Sequence, residues 1–336
     1  MFSVTNSRGF VPQSEQFEDR EMIGEDIKAY KIIHEGDFAY NPARINVGSI
    51  AKYDKSEPCM ISSLYICFKA LPQINNEWLM QLLKTPKMNF YYNVNGEGGV
   101  RVYLFYPNFA RIRTSYPSLA EQQKIASFLS LLDQRIETQR KIIEDLKKLK
   151  DAISFILFTS ETCDKWELSN LATIVMGQSP SSQCYNTDND GLPLIQGNLD
   201  ITKGKLTPRL YSSEMTKKCH TGDVILTVRA PVGEVAIADF DACIGRGVCA
   251  IRPFNNNYSV LIYQFLQHYK PKWISLEQGS TFTSVSRNDI MSIKIGVPSI
   301  QAIEILNILD DKISIEDVIL NNLNSQKNYL LAQMFI

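Results

Sequence analysis

The chain has little that would direct it to a membrane and no strong charge of either sign. Its 336 residues contain no run approaching the roughly 18 apolar residues of a membrane span, and MFSVTNSRGF at the start lacks the order of a signal peptide. We therefore expect a cytoplasmic protein without membrane contact. The formal net charge is −1, which argues against a protein that coats nucleic acid but does not exclude a local basic face.

Ligands for metals and disulfide frameworks are also scarce. The histidines lie far apart at 34, 220 and 268, and the seven cysteines contain no C-x-x-C pair. We predict buried or free thiols and no metal site. His34 and His220 each precede a Gly-Asp pair, which indicates a role in a turn.

Catalytic motifs are missing as well. Residues 41–44, N-P-A-R, begin like the N-P-P-Y motif of adenine methyltransferases, but they lack the second proline and the aromatic residue that would stack on a flipped base. The glycine cluster at 96–99 has no strand–helix context for binding phosphate. We predict that both are loops or turns and that the chain has no catalytic residue.

The strongest positive feature is an internal repeat. At a constant offset of 177 positions, Leu129, Asp133 and Lys150 match Leu306, Asp310 and Lys327. Segments 34–51 and 220–236 share His-x-Gly-Asp. The predicted organisation is a first globular domain at 1–116, a spacer helix at 117–160, a second globular domain at 161–297 and a second spacer helix at 298–336.

Both spacer segments carry a heptad pattern, in which apolar residues step by four and three positions. The first seam runs from Ile125 to Leu157 and the second from Ala302 to Met334, with polar breaks at Gln139, Lys150, Glu316 and Lys327. We predict an antiparallel coiled coil in which residue i faces residue 466−i. Lys150 then faces Glu316 and Gln139 faces Lys327, which would fix the register. The alternative is two helices that each cover their own domain.

The globular segments mix two kinds of pattern. GDVILTV, EVAIADF and GVCAIRPF are short β-branched runs bounded by Gly, Pro or Asp, as in strands, whereas 75–84 and 258–269 have helical spacing. The predicted fold class is α+β: two mixed globular domains separated by two long helices in an antiparallel coiled coil, with a pseudo-twofold repeat. A 38-residue helix spans about 57 Å and would act as a rigid spacer.

Five motifs in one order resemble a known family. They are P-S-L-x-E-Q-Q-K-I-A-x-F-L-S-x-L-D at 117–133, W-E-L at 166–168, G-Q-S-P-S at 177–181, P-L-I-Q-G at 193–197 and V-R-A-P-V-G at 228–233. Together they resemble the specificity subunit of type I restriction–modification systems over nearly the whole chain.

The resemblance implies a set of partners. Two target recognition domains would each read one half of a bipartite, asymmetric site in double-stranded DNA, with the helices setting the gap between the halves. The chain would dock two methyltransferase (modification) subunits, joined by restriction/translocase subunits, and would itself cut and methylate nothing. It would bind no cofactor, since S-adenosylmethionine, ATP and Mg are expected on the partner subunits.

The sequence departs from the family pattern in two places. Residues 166–196 have no counterpart in the first domain, so that domain is expected to lack about 30 residues at its start, which puts its DNA reading in doubt. The second spacer segment lacks the E-Q-Q-K turn of Glu121 to Lys124, which could weaken the docking of one methyltransferase subunit.

Candidate DNA contacts are Arg, Lys, Gln, Asn, Ser and Thr side chains in loops beside glycine, where protein backbone can approach a duplex. Arg and Lys suit guanine, and Gln and Asn suit adenine. In the second domain these are Gln178, Ser179, Gln196, Asn198, Lys203, Lys205, Arg229, Arg246, Thr281, Thr283 and Ser284, and the first-domain analogues are Asn6, Arg8, Asn41, Arg44 and Arg101. Arg229, between a strand and a Pro-Gly turn, is the leading candidate; the alternative for each is a solvated loop residue or a phosphate contact.

Two other functions compete with a non-catalytic specificity subunit. One is an assembly scaffold that binds proteins only, including a silent or decayed specificity subunit. The other is a self-contained methyltransferase, against which the missing cofactor and catalytic motifs argue.

Overall fold

A computed structural model describes residues 1–16, 30–99, 102–160, 164–278 and 284–335. The chain folds into two compact units. The first unit comprises Met1–Arg140 and Val318–Ile336, and the second comprises Lys141–Asp317. Each unit therefore contains one globular part and a portion of each long helix.

The globular part of the first unit is built from short strands followed by helices. The strands are β1 (Phe2–Thr5), β2 (Gly9–Pro12), β3 (Lys31–Ile33), β4 (Phe38–Tyr40), β5 (Ile50–Lys52), β6 (Cys59–Ile61) and β7 (Ile66–Phe68). The helices are α1 (Gln13–Gln16), α2 (Asn76–Leu83), α3 (Pro86–Asn95), α4 (Tyr106–Ala110) and the long α5 (Leu119–Thr159), whose last part belongs to the second unit.

Helix α2 shows how the local sequence sets these elements. The side chain of Asn75 accepts a hydrogen bond from the backbone N–H of Trp78 and so caps the helix. Trp78, Leu82 and Leu83 are buried on the face that packs into the core, together with Leu129 of α5. The predicted helix at 75–84 is confirmed.

The second unit has more strands. They are β8 (Lys165–Glu167), β9 (Ala172–Met176), β10 (Tyr185–Asn186), β11 (Leu192–Ile195), β12 (Ile201–Thr202), β13 (Lys205–Leu206), β14 (Leu210–Ser212), β15 (Lys218–Cys219), β16 (Val224–Thr227), β17 (Val235–Ile237), β18 (Ala242–Ile244), β19 (Val248–Pro253) and β20 (Lys294–Gly296). The helices are α6 (Asn257–Gln278), α7 (Arg287–Met291) and α8 (Ile300–Met334), whose last part belongs to the first unit.

The sheets of the two units follow the same plan. In the first unit the orders are β2-β1-β6-β3 and β5-β4-β7; in the second they are β10-β14-β11-β18-β15 and β17-β16-β19-β9. Strand β1 runs parallel to β6, as β11 does to β18, while the other pairings in these sheets are antiparallel. Removing β9 and β10 from the second unit leaves the order found in the first.

The segment without a counterpart is therefore shorter than predicted. Strand β11 at 192–195 corresponds to β1, so the match begins before residue 197. This strand was not predicted as a match because FSVT of β1 and LPLI of β11 share no identical residue. The β12–β13 hairpin, in contrast, has no equivalent in the sheets described for the first unit.

The His-x-Gly-Asp sequences form the same turn in each unit. The backbone N–H of His34 donates to Oδ2 of Asp37 at 3.0 Å, and that of His220 donates to Asp223 at 2.9 Å. Gly36 and Gly222 have φ values of 84° and 91°, a region that favours glycine. The turns lead into β4 and β16, and the predicted turn role of the histidines is confirmed.

The long helices bury the predicted seams. Every seam position from Ile125 to Leu157 and from Ala302 to Met334 is buried or half-buried. In the first unit, Leu129 near the start of α5 shares a core with Phe335 at the end of the chain. In the second unit, Phe158 near the end of α5 shares a core with Ile303 near the start of α8. Opposite ends thus pack together, as in an antiparallel pair.

The seam lysines pair with carboxylates other than the predicted partners. Lys150 pairs with Asp310, not Glu316, and Lys327 pairs with Asp133 where Gln139 was predicted. Residue numbers in each observed pair total 460, whereas 466 was predicted. The error came from assuming that polar seam residues face each other. A lysine stem is long enough to pass its apolar neighbours and reach a carboxylate beside the seam.

Gln122, within the E-Q-Q-K stretch, ties α5 to the globular part of the first unit. The side chain is buried, accepts from the N–H of Asn75 at 2.8 Å and donates to the carbonyls of Gln73 and Pro117 at 3.2 and 2.9 Å. The motif thus has an internal packing role in this unit. Within the ranges that the structure describes, no helix is both long enough and apolar enough to span a membrane.

Candidate nucleic-acid interface

A cleft of about 280 Å³ in the second unit collects residues from four separated stretches of sequence. Five predicted DNA contacts line it: Ser179, Gln196, Asn198, Arg229 and Arg246. They follow β9, β11 and β16 or lie between β18 and β19. The cleft therefore combines two guanidinium groups, two side-chain amides and a hydroxyl. These are the groups that recognise base edges and phosphates.

Glycines let the loops of this cleft approach closely. A Cβ atom on Gly247 would lie 2.0 Å from the carbonyl oxygen of Gln196, and one on Gly177 would lie 2.1 Å from that of Gly245. Any larger residue would push the loops apart. The glycines bring the loop after β11 against the β18–β19 turn.

A buried carboxylate holds the loop that carries Gln196. Asp200 is 2% exposed, and Oδ2 accepts from the N–H groups of Gln196 and Gly197 at 2.8 and 3.3 Å. Oδ1 accepts from Nε of Arg209 at 2.9 Å. Asp200 is not among the residues predicted from the sequence. An acidic residue three positions after Gly197 at the start of a short helical turn is the signal that could have found it.

Ser179 and Gln178 support the cleft through their own neighbours. The Ser179 hydroxyl accepts from the backbone N–H of Arg246 at 3.1 Å. The N–H of Gln178 donates to the carbonyl of Ile244 at 2.9 Å, and its own carbonyl accepts from the hydroxyl of Thr216. Ser179 thus positions the Arg246 turn, and Gln178 is not among the residues that line the cleft.

Arg229 leaves the end of β16 beside a second chain segment. It forms a β-bridge with Ser284, and the N–H of Val285 donates to the carbonyl of Val228 at 2.9 Å. The predicted contact Ser284 therefore lies next to the cleft. Thr281 and Thr283, predicted in the same loop, lie outside the described residues.

The cleft arginines differ from the other arginines of the β-sheet region. Arg209 and Arg252 are held by the buried carboxylates of Asp200 and Asp223. Arg229 and Arg246 are exposed, and neither belongs to an ion pair among the residues the structure describes. An exposed guanidinium with no internal carboxylate partner keeps its charge and donors available for an anionic ligand.

Two predicted lysines lie elsewhere. The turn between β12 and β13 gives Lys203 a φ of 50°, and its ammonium is 2.7 Å from a carboxylate oxygen of Asp317 on α8. Gly204 beside it packs on Tyr263 of α6. Lys203 thus fastens the hairpin to the helices. Lys205 is exposed on β13, and neither lysine lines the cleft.

The first unit presents its candidates on two loops. Asn6 and Arg8 lie between β1 and β2, while Asn41 and Arg44 follow β4. Arg8 is 3.5 Å from Glu15, and the Asn41 side chain accepts from the N–H of Ala43, so Asn41 closes a turn. Arg44 is exposed.

A glycine brings these two loops together. A Cβ on Gly48 would lie 3.4 Å from that of Asn6. Arg101 lies outside the described residues.

Comparisons with known proteins agree on one family. A family model described as the type I restriction modification DNA specificity domain matches residues 23–148 and 161–325. Among curated proteins, the chain is 30% identical over 302 residues to a protein of Methanocaldococcus jannaschii assigned as the type I restriction enzyme MjaX specificity subunit. The match covers 82% of this chain and 71% of that protein.

Solved structures share the fold. A chain from a study of complex assembly and conformational transition in a type I R-M system has a TM-score of 0.64 and 23% identity, covering 91% of this chain and 83% of that chain. The S subunit of a type I restriction-modification system from M. genitalium has a TM-score of 0.63 and 17% identity. The match covers 90% of this chain and 84% of that chain. The HsdS subunit of Thermoanaerobacter tengcongensis has a TM-score of 0.52 and 22% identity. The match covers 91% of this chain and 82% of that chain.

Proposed function

Because the chain belongs to the family of type I restriction-modification DNA specificity subunits, we propose that it reads a bipartite DNA site for a modification and restriction complex. The observation that carries this proposal is the cleft of the second unit. Five side chains chosen for their hydrogen-bonding chemistry converge there, although they are spread over 68 positions of sequence from 179 to 246.

The chemistry of the cleft suits base recognition in the major groove. A guanidinium can donate two hydrogen bonds to O6 and N7 of guanine, and a side-chain amide can pair with N6 and N7 of adenine. Arg229 and Arg246 supply the first kind of group, and Gln196 and Asn198 the second. Since the net charge of the chain is −1, attraction for phosphate would come from local cations such as these two arginines.

Reading of a second half-site is proposed for the first unit. Its sheets repeat those of the second unit, and Asn41 and Arg44 follow β4 as Arg229 follows the equivalent β16. Because the polar residues at these places differ, the two halves of the DNA site should differ in sequence. The paired long helices would then hold the two readers at one spacing along the duplex.

Docking of modification subunits is supported by exposed apolar residues on the long helices. Phe128 and Leu131 of α5 are 47% and 64% exposed, and their counterparts Ile305 and Ile308 of α8 are 49% and 66% exposed. Exposed apolar side chains that recur at the repeat offset of 177 suit two copies of one partner. These copies would be methyltransferase subunits, which restriction/translocase subunits join.

Catalysis would belong to these partners in this proposal. S-adenosylmethionine, ATP and Mg would be bound by the partner subunits, and the specificity chain would contribute recognition alone. Among the described residues, no group of three His, Cys, Asp or Glu side chains is placed to hold a metal ion.

Co-expression tests the proposal. The chain is produced with its methyltransferase subunit in a host without other methylation, and the modified bases are mapped by sequencing. We expect methylation at one bipartite motif only when both proteins are present. Assembly without methylation would instead support a scaffold or a silent subunit, and methylation by the chain alone would make it an enzyme.

A further inference from the structure

A polar contact among three helices joins the globular part of the second unit to both long helices. Nε2 of Gln264 on α6 donates to Oδ2 of Asp310 on α8 at 2.7 Å, and also to the side-chain oxygen of Asn307 at 3.0 Å. The other carboxylate oxygen of Asp310 accepts from the ammonium of Lys150 on α5 at 2.5 Å. Gln264 is 1% exposed, so the glutamine end of this contact lies inside the packing of the unit.

The first unit contains the same contact. Nε2 of Gln81 on α2 donates to Oδ2 of Asp133 on α5 at 3.2 Å, and Oδ1 of Asp133 binds Lys327 of α8. The aspartates and lysines are related by the offset of 177, and the glutamines occupy matching places in M-Q-L-L and Y-Q-F-L. We call each Gln–Asp–Lys set a node.

Each node links three elements through one carboxylate. The aspartate uses one oxygen for the helix of the globular part and the other for the opposite long helix, so the three positions are fixed together. Such charge-assisted hydrogen bonds are short and directional, and a buried polar group that loses its partner is costly. A node therefore fixes the position of the three helices relative to one another, whereas apolar packing only keeps them close together.

Apolar packing alone would leave the register of the long helices poorly defined. Their seams repeat Leu and Ile every three or four residues, so a slip of one heptad would again match apolar with apolar. For Lys327 that slip replaces Asp133 by Ala126 or Arg140, neither of which is a carboxylate. For Lys150 the same slip replaces Asp310 by Ile303 or Asp317, and Asp317 is already bound by Lys203.

We infer that Gln81, Asp133 and Lys327, and likewise Gln264, Asp310 and Lys150, are positioning residues that fix each globular part on the helix pair. Through this they set the number of base pairs between the two half-sites. The inference rests on the proposed function in DNA recognition. The inference concerns the length of the gap between the half-sites, whereas the proposed function concerns the bases within them.

The test measures spacer preference in the assembled complex. Once the methylated motif of the wild-type complex is known, substrates are prepared with the native spacer and with one base pair more or fewer. Methylation rates are compared for Gln264→Leu, Asp310→Asn, Gln81→Leu and Asp133→Asn. The exposed neighbour in Asp311→Asn is the matched control for Asp310→Asn, since it removes the same charge one position away.

We expect the node variants to lose about tenfold in preference for the native spacer, the factor that one charged hydrogen bond is worth. The bases required in each half-site should stay unchanged, and Asp311→Asn should keep the wild-type spacer profile. Thermal melting establishes that each variant is folded. If Asp310→Asn does not fold, Lys150→Met tests the same node from the other helix.

Two results would overturn the inference alone. One is an equal fall in methylation on all three spacers, which would mean that the nodes serve stability only. The other is an unchanged spacer preference in folded variants. If the wild-type complex methylates no specific motif, the proposed function fails first and the inference with it.

Discussion

The ammonium of Lys150 lies 2.5 Å from Oδ1 of Asp310, and the same contact recurs between Lys327 and Asp133. The Lys150 side chain is 14% exposed and that of Asp310 is 33% exposed. Each pair is therefore partly withdrawn from water. Loss of one partner would leave the other charge poorly solvated. The pairing makes the central helices sensitive to single changes at these positions.

Replacing Lys150 by Met should lower the free energy of unfolding by about 1–2 kcal/mol, because the carboxylate of Asp310 loses a charged hydrogen-bond partner. Urea denaturation followed by circular dichroism measures the change. Lys148→Met is the control, since Lys148 is 68% exposed and pairs with Glu144 on the same helix face. Equal midpoints for the two variants would contradict a special role for Lys150.

Replacing Arg229 by Ala should weaken specific DNA binding by about 1–3 kcal/mol, the worth of one bidentate contact to a base pair. The measurement is a gel-shift competition between the cognate motif and duplexes altered at single positions. Arg140→Ala removes an exposed arginine from the helix surface and should leave discrimination intact. If Arg229→Ala keeps wild-type discrimination, Arg229 does not read a base.

Two glycines in the cleft should respond differently to alanine. In Gly247→Ala the new Cβ would lie 2.0 Å from the Gln196 carbonyl oxygen, so we expect a loss of about 1–3 kcal/mol in stability and of site-specific methylation. Gly197 has an extended backbone with nothing within 4 Å of an added Cβ, so Gly197→Ala should unfold as the wild type does. Thermal denaturation separates the two, and equal effects would argue against the described loop packing.

Stability should depend on pH through His268, which packs against the rings of Phe155 and Phe158. Burial, followed by the charge of Lys272, lowers the pKa of His268 against an opposing effect of Asp151. Since the unfolded chain then binds a proton at higher pH than the folded chain, this contribution is complete above about pH 6.5. It is lost as the pH falls from there toward the folded pKa.

The check compares urea midpoints of the wild type and His268→Gln at pH 7.5, 6.5 and 5.5, values that bracket the ordinary pKa of histidine. The wild type should lose stability faster across this range, so that the difference between the two proteins narrows at the acid end. A constant difference at all three pH values would show that His268 does not titrate in the transition.

Much of the fold could be predicted because it repeats. Heptad spacing located both long helices, and the shared His-x-Gly-Asp located two equivalent turns. The ion-pair partners of Lys150 and Lys327 could not be predicted, since a heptad pattern is compatible with several offsets. The choice depends on how far a side chain such as Lys150 reaches, a distance that sequence spacing does not contain.

The cleft was predicted in part. Gly-rich surroundings and side-chain chemistry selected Gln196, Arg229 and Arg246, which the structure brings together. The same criteria also selected Lys203, which binds Asp317, because composition does not distinguish an available cation from one already paired. Gln264 was not predicted, because helical spacing at 258–269 does not show that this side chain reaches Asp310.

The turns that precede β4 and β16 have a consequence for how such proteins diversify. Asp37 and Asp223 fix where each strand starts, and the predicted DNA contacts Arg44 and Arg229 come only after the strand has ended. A mutation at Arg44 or Arg229 therefore leaves the turn and the sheet pairing untouched. If the chain reads DNA as proposed, new preferences would arise at these tips without a change in the underlying framework.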